Sequence, residues 1–325
     1  MISSEEITFL EICERRNMNH YHNMTWKLAW NLAAPPTWVA SAIPAIFGIL
    51  YCRVHAYPLA IWTYLPLFLA CVLLQSAVNT LNDYMDFIKG TDSADDHVEE
   101  DDAVLVYGGI RPKSALLLGI GFMASGIILG LLSGLQHGMA PLLIGLIGVA
   151  VIALYSCGPH PISYLPVGEL ISGCVMGGLI PLGICACADG KLHGNVLVAS
   201  LPLILGIALI MMSNNGCDIE KDMAAGRKTF PVTLGRKKTR IVYRACLLCW
   251  LILLMVGPIV LLGNLGICNL IFLLLFAGKP FLELWRLSLL PETRILQMKT
   301  IAKANLMGNG SYCLTILIYC LWHLG

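Results

Sequence analysis

Long apolar runs separated by short polar segments make up most of the chain. They lie near residues 29–51, 61–81, 114–134, 139–157, 166–188, 196–215, 242–262, 265–285 and 303–323. A helix needs about 20 mostly apolar residues to cross a bilayer, and these runs are of that length. The pattern predicts an all-α, polytopic membrane protein of about nine transmembrane helices. The first run contains Pro35, Pro36 and Pro44, and the eighth leads into Lys279 and Pro280. Such residues are tolerated in a span when neighbouring groups satisfy the freed backbone. The first 25 residues are polar and carry Glu5, Glu6, Glu11 and Glu14, unlike a signal peptide, which has a basic start and an apolar core. The expected organisation is a cytoplasmic extension, 1–25, ahead of one transmembrane unit, 26–325.

The polar segments orient the spans. With the N-terminus inside, the alternate segments facing the cytoplasm hold 19 of the 21 Lys and Arg; Arg53 and Lys191 are the exceptions. This is the bias of the positive-inside rule, and it implies a multi-pass protein of the plasma membrane whose long polar loops face the cytoplasm. Composition agrees. Hydrophobic residues are 57% of the chain, charged residues only 13%, and the mean hydropathy is +0.75. Soluble domains carry roughly 25% charged residues, so lipid must cover this surface. A net charge of +1 gives no reason to expect a nucleic-acid partner. The 13 Cys show no zinc-site or disulfide-framework spacing. Cys71, Cys157, Cys174, Cys268 and Cys313 sit in or beside apolar runs, and the one CxxC, Cys246 to Cys249, lies inside one. There, thiols serve as small hydrophobes.

Candidate chemistry gathers at two inner boundaries. The second run ends in Asn79-Thr-Leu-Asn82-Asp83-Tyr84-Met-Asp86-Phe-Ile-Lys89-Gly90-Thr-Asp92; the sixth ends in Asn214-Asn215-Gly-Cys-Asp218-Ile-Glu220-Lys-Asp222. Both contain Asn-x3-Asp and a further Asp three or four residues on. Residues so spaced share one face of a helix. Asn79, Asp83 and Asp86 are expected on one stripe and Asn214, Asp218 and Asp222 on another. The motifs lie four spans apart, as duplication of a four-helix unit would leave them. Carboxylates at a membrane boundary are costly and usually functional. Mg²⁺ is typically held by one or two carboxylates plus substrate phosphates, so two facing Asp stripes could grip a diphosphate through metal ions. Lys89, Arg111, Lys113, Arg227 and Lys228 flank the motifs on the same side and could steady the departing diphosphate; for Arg227 and Lys228, topology and anionic lipid are the alternative. Arg236-Lys237-Lys238 reads as topology and lipid contact. Between the motifs, Tyr155-Ser-Cys-Gly158-Pro159-His160-Pro161-Ile-Ser-Tyr164 reads as a tight turn carrying two tyrosines, either interface-belt residues or residues with a direct role, with Glu169 just beyond.

Together these residues resemble the UbiA superfamily of membrane prenyltransferases, nearest the branch that prenylates 1,4-dihydroxy-2-naphthoate in menaquinone synthesis. The resemblance runs from Thr37 to the last span. It rests on the two Asp motifs, on Tyr155, Gly158-Pro159, Pro161, Tyr164 and Gly168-Glu169, and on Gly226-Arg227-Lys228-Thr229 and Leu234-Gly235. It implies a helical fold around a central cavity open to lipid, with Mg²⁺ held by Asp83, Asp86, Asp218 and Asp222. Asn79, Asn82, Lys89, Arg111, Asn214, Arg227 and Lys228 would serve the diphosphate, and Tyr155 and Tyr164 the acceptor. A polyprenyl diphosphate would then alkylate an electron-rich aromatic ring, and the chain's partners would be that diphosphate, the aromatic acceptor and membrane lipid. Two departures stand out. Ala34-Pro35-Pro36-Thr37 stands where family members usually carry Arg-Pro, and residues 92–102 are unusually acidic. Other acceptors stay open: 4-hydroxybenzoate, homogentisate, haem or a lipid. A cation-coupled transporter is the rival outside the enzymes, although its ion sites are usually near the bilayer midplane. No Asp-Gly-x2-Ala-Arg string points to a phosphatidyl transferase.

Overall fold

The computed structural model describes residues 21–89, 104–156, 158 and 161–323. Lys89 is described in its backbone only, and Asp92, the acidic stretch to residue 102, Pro159 and His160 lie outside the described residues. The described chain is helical, with one isolated parallel bridge, His22 to Ile110. We number the main helices α1 Trp26–Ala33, α2 Val39–Val54, α3 Ile61–Lys89, α4 Pro112–Gly134, α5 Met139–Ser156, α6 Gly168–Asp189, α7 Leu201–Cys217, α8 Ile219–Ala224, α9 Arg236–Leu262, α10 268–286 and α11 Arg294–His323.

Helix covers each predicted apolar run. By length and hydropathy, five helical segments among the described residues qualify to cross a membrane: Trp26–Val54, Ile61–Ile88, Pro112–His137, Gly168–Asp189 and Arg236–Arg286. The last joins two predicted spans. Met139–Tyr155 and Leu201–Cys217 are apolar but shorter, and α11 is diluted by Lys299, Lys303, Asn305 and Asn309.

The proline-bearing first run is broken as its composition suggests. Thr25 caps α1 by accepting from Leu28 N at 3.3 Å, a standard N-cap arrangement. Ala34 then turns left-handed at φ 47° and Pro35 stops the helix. The carbonyls freed inside the membrane find partners on α3. Thr80 Oγ1 donates to Leu32 O at 3.1 Å, and Asn79 Nδ2 donates to Ala33 O at 3.0 Å. Trp38 Nε1 donates to Ala33 O at 3.1 Å and to Ser76 Oγ at 3.0 Å.

Close helix contact depends on small residues, because lipid provides no hydrophobic drive between spans. A Cβ on Gly126 of α4 would come within 2.8 Å of Leu74 Cγ on α3. One on Gly177, in the π-helical turn Gly173–Leu179 of α6, would meet Ile204 N of α7 at 2.5 Å. Buried amides and hydroxyls join α7, α9 and α11. Asn305 Nδ2 donates to Gly206 O at 3.0 Å, Trp250 Nε1 to Asn309 Oδ1 at 3.2 Å, and Gln297 Nε2 to Tyr243 OH at 3.0 Å. Among the described residues the cysteines are free thiols, including Cys246 and Cys249; Cys157 lies outside the described residues.

Candidate active site

A cavity of about 810 Å³ opens among these helices, and both Asp motifs reach it. Asn79, Asn82, Asp83 and Asp86 of α3 line it together with Asn214, Asp218 and Asp222 of α7 and α8. Below this polar end the wall is apolar: Leu67, Cys71 and Leu74 of α3, Ile127 and Leu131 of α4, Val149 and Ile152 of α5, Met176 and Leu179 of α6.

The two motifs are built differently. α3 continues to Lys89, well past the predicted boundary at 81, so its motif rides on unbroken helix. α7 ends at Cys217; Asp218 takes φ −98° and ψ 19°, and α8 begins at Ile219. The single helical stripe expected for Asn214, Asp218 and Asp222 is therefore corrected to a bend at Asp218. The bend still carries Asp218 N to Asn214 O at 3.1 Å and Asp222 N to Asp218 O at 2.8 Å, so the four-residue spacing survives.

Two arginines hold the carboxylates. Arg227 pairs through a short contact with Asp86 Oδ1 and lies 3.7 Å from Asp222 Oδ1, linking the motifs. Arg294 Nε donates to both oxygens of Asp218, at 3.0 and 3.1 Å, while its Nη2 donates to Asn214 Oδ1 at 2.8 Å. Asn82 Nδ2 donates to Asp86 Oδ2 at 3.1 Å, and Thr229 Oγ1 donates to Asp222 Oδ2 at 3.1 Å. Burial pushes the Asp222 carboxyl up to about 6, against the opposing pull of Arg227.

The remaining candidates divide. Tyr155 is on the cavity wall. Tyr164 lies behind Arg227, with the guanidinium 4.8 Å from its ring centre, and its carbonyl accepts from Lys228 N at 2.8 Å. It positions the arginine rather than lining the cavity. Asn79 lines the cavity, but its amide donates to Ala33 O and, at 2.7 Å, to Thr37 Oγ1; much of its capacity holds the α1–α2 break. Arg111 stands at the N-cap position of α4 without a side-chain cap bond, and Lys228 follows Arg227; both side chains are exposed and neither lines the cavity. Arg294, Lys221 and Thr37 line the cavity too, although neither motif spacing nor helical stripe singles them out. In the sequence Arg294 is one more inner-loop charge, and only the packing of α11 against α7 brings it to Asp218. Arg236 does more than mark topology: it donates to Gly216 O at 2.9 Å and pairs with Glu220.

The donor set suits a divalent cation bound with a diphosphate. Among the described residues no three acidic, His or Cys side chains converge on one point. Mg²⁺ needs only one or two carboxylates when phosphates complete its shell, and each motif brings two to the cavity. Fold and site thus define a multi-pass helical membrane protein with an apolar-walled cavity closed at one end by carboxylates and arginines.

Comparison with known proteins makes the class particular. Residues 41–303 match the model of the UbiA prenyltransferase family. The chain is 32% identical over 211 residues to the 1,4-dihydroxy-2-naphthoate octaprenyltransferase of Bacillus subtilis, covering 65% of this chain and 67% of that protein. It is 29% identical to the human UbiA prenyltransferase domain-containing protein 1 over 55% of this chain, and spans about half of that relative's length. Its fold is similar to that of a UbiA homologue from Archaeoglobus fulgidus bound to GPP and Mg²⁺, with TM-score 0.61 and 16% identity over 89% of this chain and 99% of that one. The Aeropyrum pernix homologue gives TM-score 0.60 and 17% identity, covering 87% and 98%. The chain belongs to the UbiA prenyltransferase family, and it is a prenyltransferase.

Proposed function

We propose that this enzyme transfers a polyprenyl group from its diphosphate to an aromatic ring, with 1,4-dihydroxy-2-naphthoate as acceptor. The observation that carries the reading is the union of both Asp motifs, Arg227 and Arg294 at the polar end of one apolar-walled cavity. The Bacillus subtilis relative, named for the same acceptor, supports the choice of ring.

Asp83, Asp86, Asp218 and Asp222 would hold Mg²⁺, which when bound neutralises the diphosphate and draws charge from the breaking bond. Arg227 pairs with Asp86 and Asp222 and Arg294 with Asp218, and both guanidinium groups would face the diphosphate as bidentate donors. Asn82 orients Asp86, and Thr229 orients Asp222. The apolar wall from Leu67 to Leu74 and from Ile127 to Leu131 holds the isoprenoid tail and keeps water from the allylic carbon. The same wall disfavours a cation-coupled transporter, which would need polar groups along the pathway. The enzyme would lie in the plasma membrane with its N-terminal extension and site facing the cytoplasm, in keeping with 19 of 21 Lys and Arg in segments on that side.

The test is product mass spectrometry on membranes containing this chain, given polyprenyl diphosphate, Mg²⁺ and 1,4-dihydroxy-2-naphthoate. A prenylated, decarboxylated naphthol is expected. Prenylation of another ring only would overturn the acceptor; no prenylation of any ring would overturn the reaction.

A further inference from the structure

The carboxylates occupy one end of the bundle, and the chain path places the ends of α2 and α6 at the other. α2 ends at Val54 and α3 starts at Ile61, with the first Asp motif at the far end of α3. α6 ends at Asp189 and α7 starts at Leu201, with Asp218 just past the far end of α7. Both α2 and α6 therefore run toward the face opposite the carboxylates. The connections that follow them meet there: Tyr57 stacks on His193 with ring centres 4.0 Å apart.

The two helices touch along one seam. A Cβ on Gly48 of α2 would come within 3.0 Å of Pro181 Cα and 3.2 Å of Ile184 Cβ of α6, so the missing side chain sets the approach. One turn on from Gly48 is Cys52, and one turn on from Pro181 is Cys185. Their sulfurs lie 3.5 Å apart, and both side chains are fully buried. Neither lines the cavity, but Gly183, Ile184 and Cys187 of α6 do, so the seam backs the cavity wall at the end away from the carboxylates. The two thiols stand 133 residues apart in the chain, and spacing in the sequence gives no sign of the pair. To reach bonding distance the sulfurs must close by only about 1.5 Å, a movement that rotation of the two side chains supplies.

We propose that Cys52 and Cys185 are a modification site: in the cell they form a disulfide that ties α2 to α6. This goes beyond the transfer reaction and rests on the orientation proposed above, which puts these helix ends on the outer face, where disulfides form and persist. The oxidant is the disulfide of an extracytoplasmic thiol oxidoreductase. The thiolate of one cysteine attacks that disulfide and forms a mixed disulfide; the thiolate of the other then breaks the mixed bond. Two electrons and the two thiol protons pass to the oxidoreductase, which leaves as a dithiol. The exchange takes place before the helices finish packing, while their ends are still accessible.

The experiment traps the thiol state of the full chain. Cells are lysed in denaturant with a maleimide, which blocks every free thiol, and the protein is digested without reduction and read by mass spectrometry. The expected result is a linked peptide pair joining Cys52 to Cys185 in most molecules, absent from Cys52→Ser and Cys185→Ser. Reductant should lower the melting temperature of the wild type in detergent and leave that of either variant unchanged, because a cross-link that closes a long loop constrains the unfolded chain. Lys191→Cys, in the exposed connection after α6, locates the face: a membrane-impermeant maleimide should label this variant above wild type in intact cells. Added label together with Cys52 and Cys185 both blocked before reduction would overturn the disulfide, and so would a wild-type melting temperature indifferent to reductant. No added label would instead overturn the orientation, and this inference with it.

Discussion

The two Asp motifs look like copies in sequence and behave as different objects in space. The first runs along α3 without a break, and its neighbours come from the α1–α2 turn, where Asn79 holds Ala33 and Thr37. The second sits on a bend between α7 and α8 and is tied by Arg294 of α11 and Thr229 of the following loop. Arg227, beside the second motif in sequence, crosses to Asp86 of the first. The first motif is thus an unbroken helical face. The second is a bend whose partners come from the following loop and from α11. Equal spacing in a sequence supplies equal donors; it does not supply equal surroundings.

The largest expected effect tests whether both copies are needed. Asp83→Asn and Asp218→Asn should each abolish prenyl transfer, by about 1,000-fold or more if each removes a main electrostatic contact to the leaving group, while the protein still elutes folded in detergent. Full activity of either variant with Mg²⁺ would sink the metal-site assignment. Excess chelator should likewise stop the reaction, and added Mg²⁺ should restore it.

The arginines separate the copies next. Arg227→Ala should cost more activity than Arg294→Ala, because Arg227 serves both motifs. It should also lower thermal stability without metal, since stripping one partner from a buried ion pair costs about 3–5 kcal/mol. Mg²⁺ should then raise its melting temperature more than that of wild type. Equal losses from the two variants would mean that the bridge is incidental.

Asn79→Ala should act mainly through the fold of the first half, because it leaves Ala33 O short of a donor. Trp38 Nε1 still donates to Ala33 O, so the expected loss is that of the hydrogen bonds removed, about 0.5–1.5 kcal/mol each, read as a lower melting temperature, with kcat falling less than in the Asp variants. The smallest effect should come from Arg111→Ala. Its side chain is exposed and away from the cavity wall, so initial rates should stay within about twofold; surface changes of this kind are usually within about 0.5 kcal/mol. A large loss there would move the diphosphate site toward α4.

Much of this protein is legible in the order of its amino acids. Apolar runs of spanning length announce helices because backbone groups in lipid have few other ways to be satisfied. The carboxylates announce themselves by contrast, as charges placed where charge is costly. Both signals are local, so a linear reading captures them. The ends are less legible. The apolar run of α3 stops near 81, while the helix continues to Lys89, as the stripe of Asn79, Asp83 and Asp86 requires; hydropathy alone does not register such a polar helix end. The bend at Asp218 has no sequence mark beyond Gly216.

What only tertiary structure decided was pairing. Arg294 stands 76 residues from Asp218 and Arg227 stands 141 from Asp86. Nothing in either segment says which of the inner-face cations will reach a carboxylate and which, like Lys228, will stay in solvent. Tyr164 and Tyr155 share one short turn, yet one supports Arg227 and the other lines the cavity. The physical reason is the same in each case. Residue type sets what a side chain can bond to, while the partner it meets depends on how close helices pack, and that was settled far away by glycines such as Gly126 and Gly177.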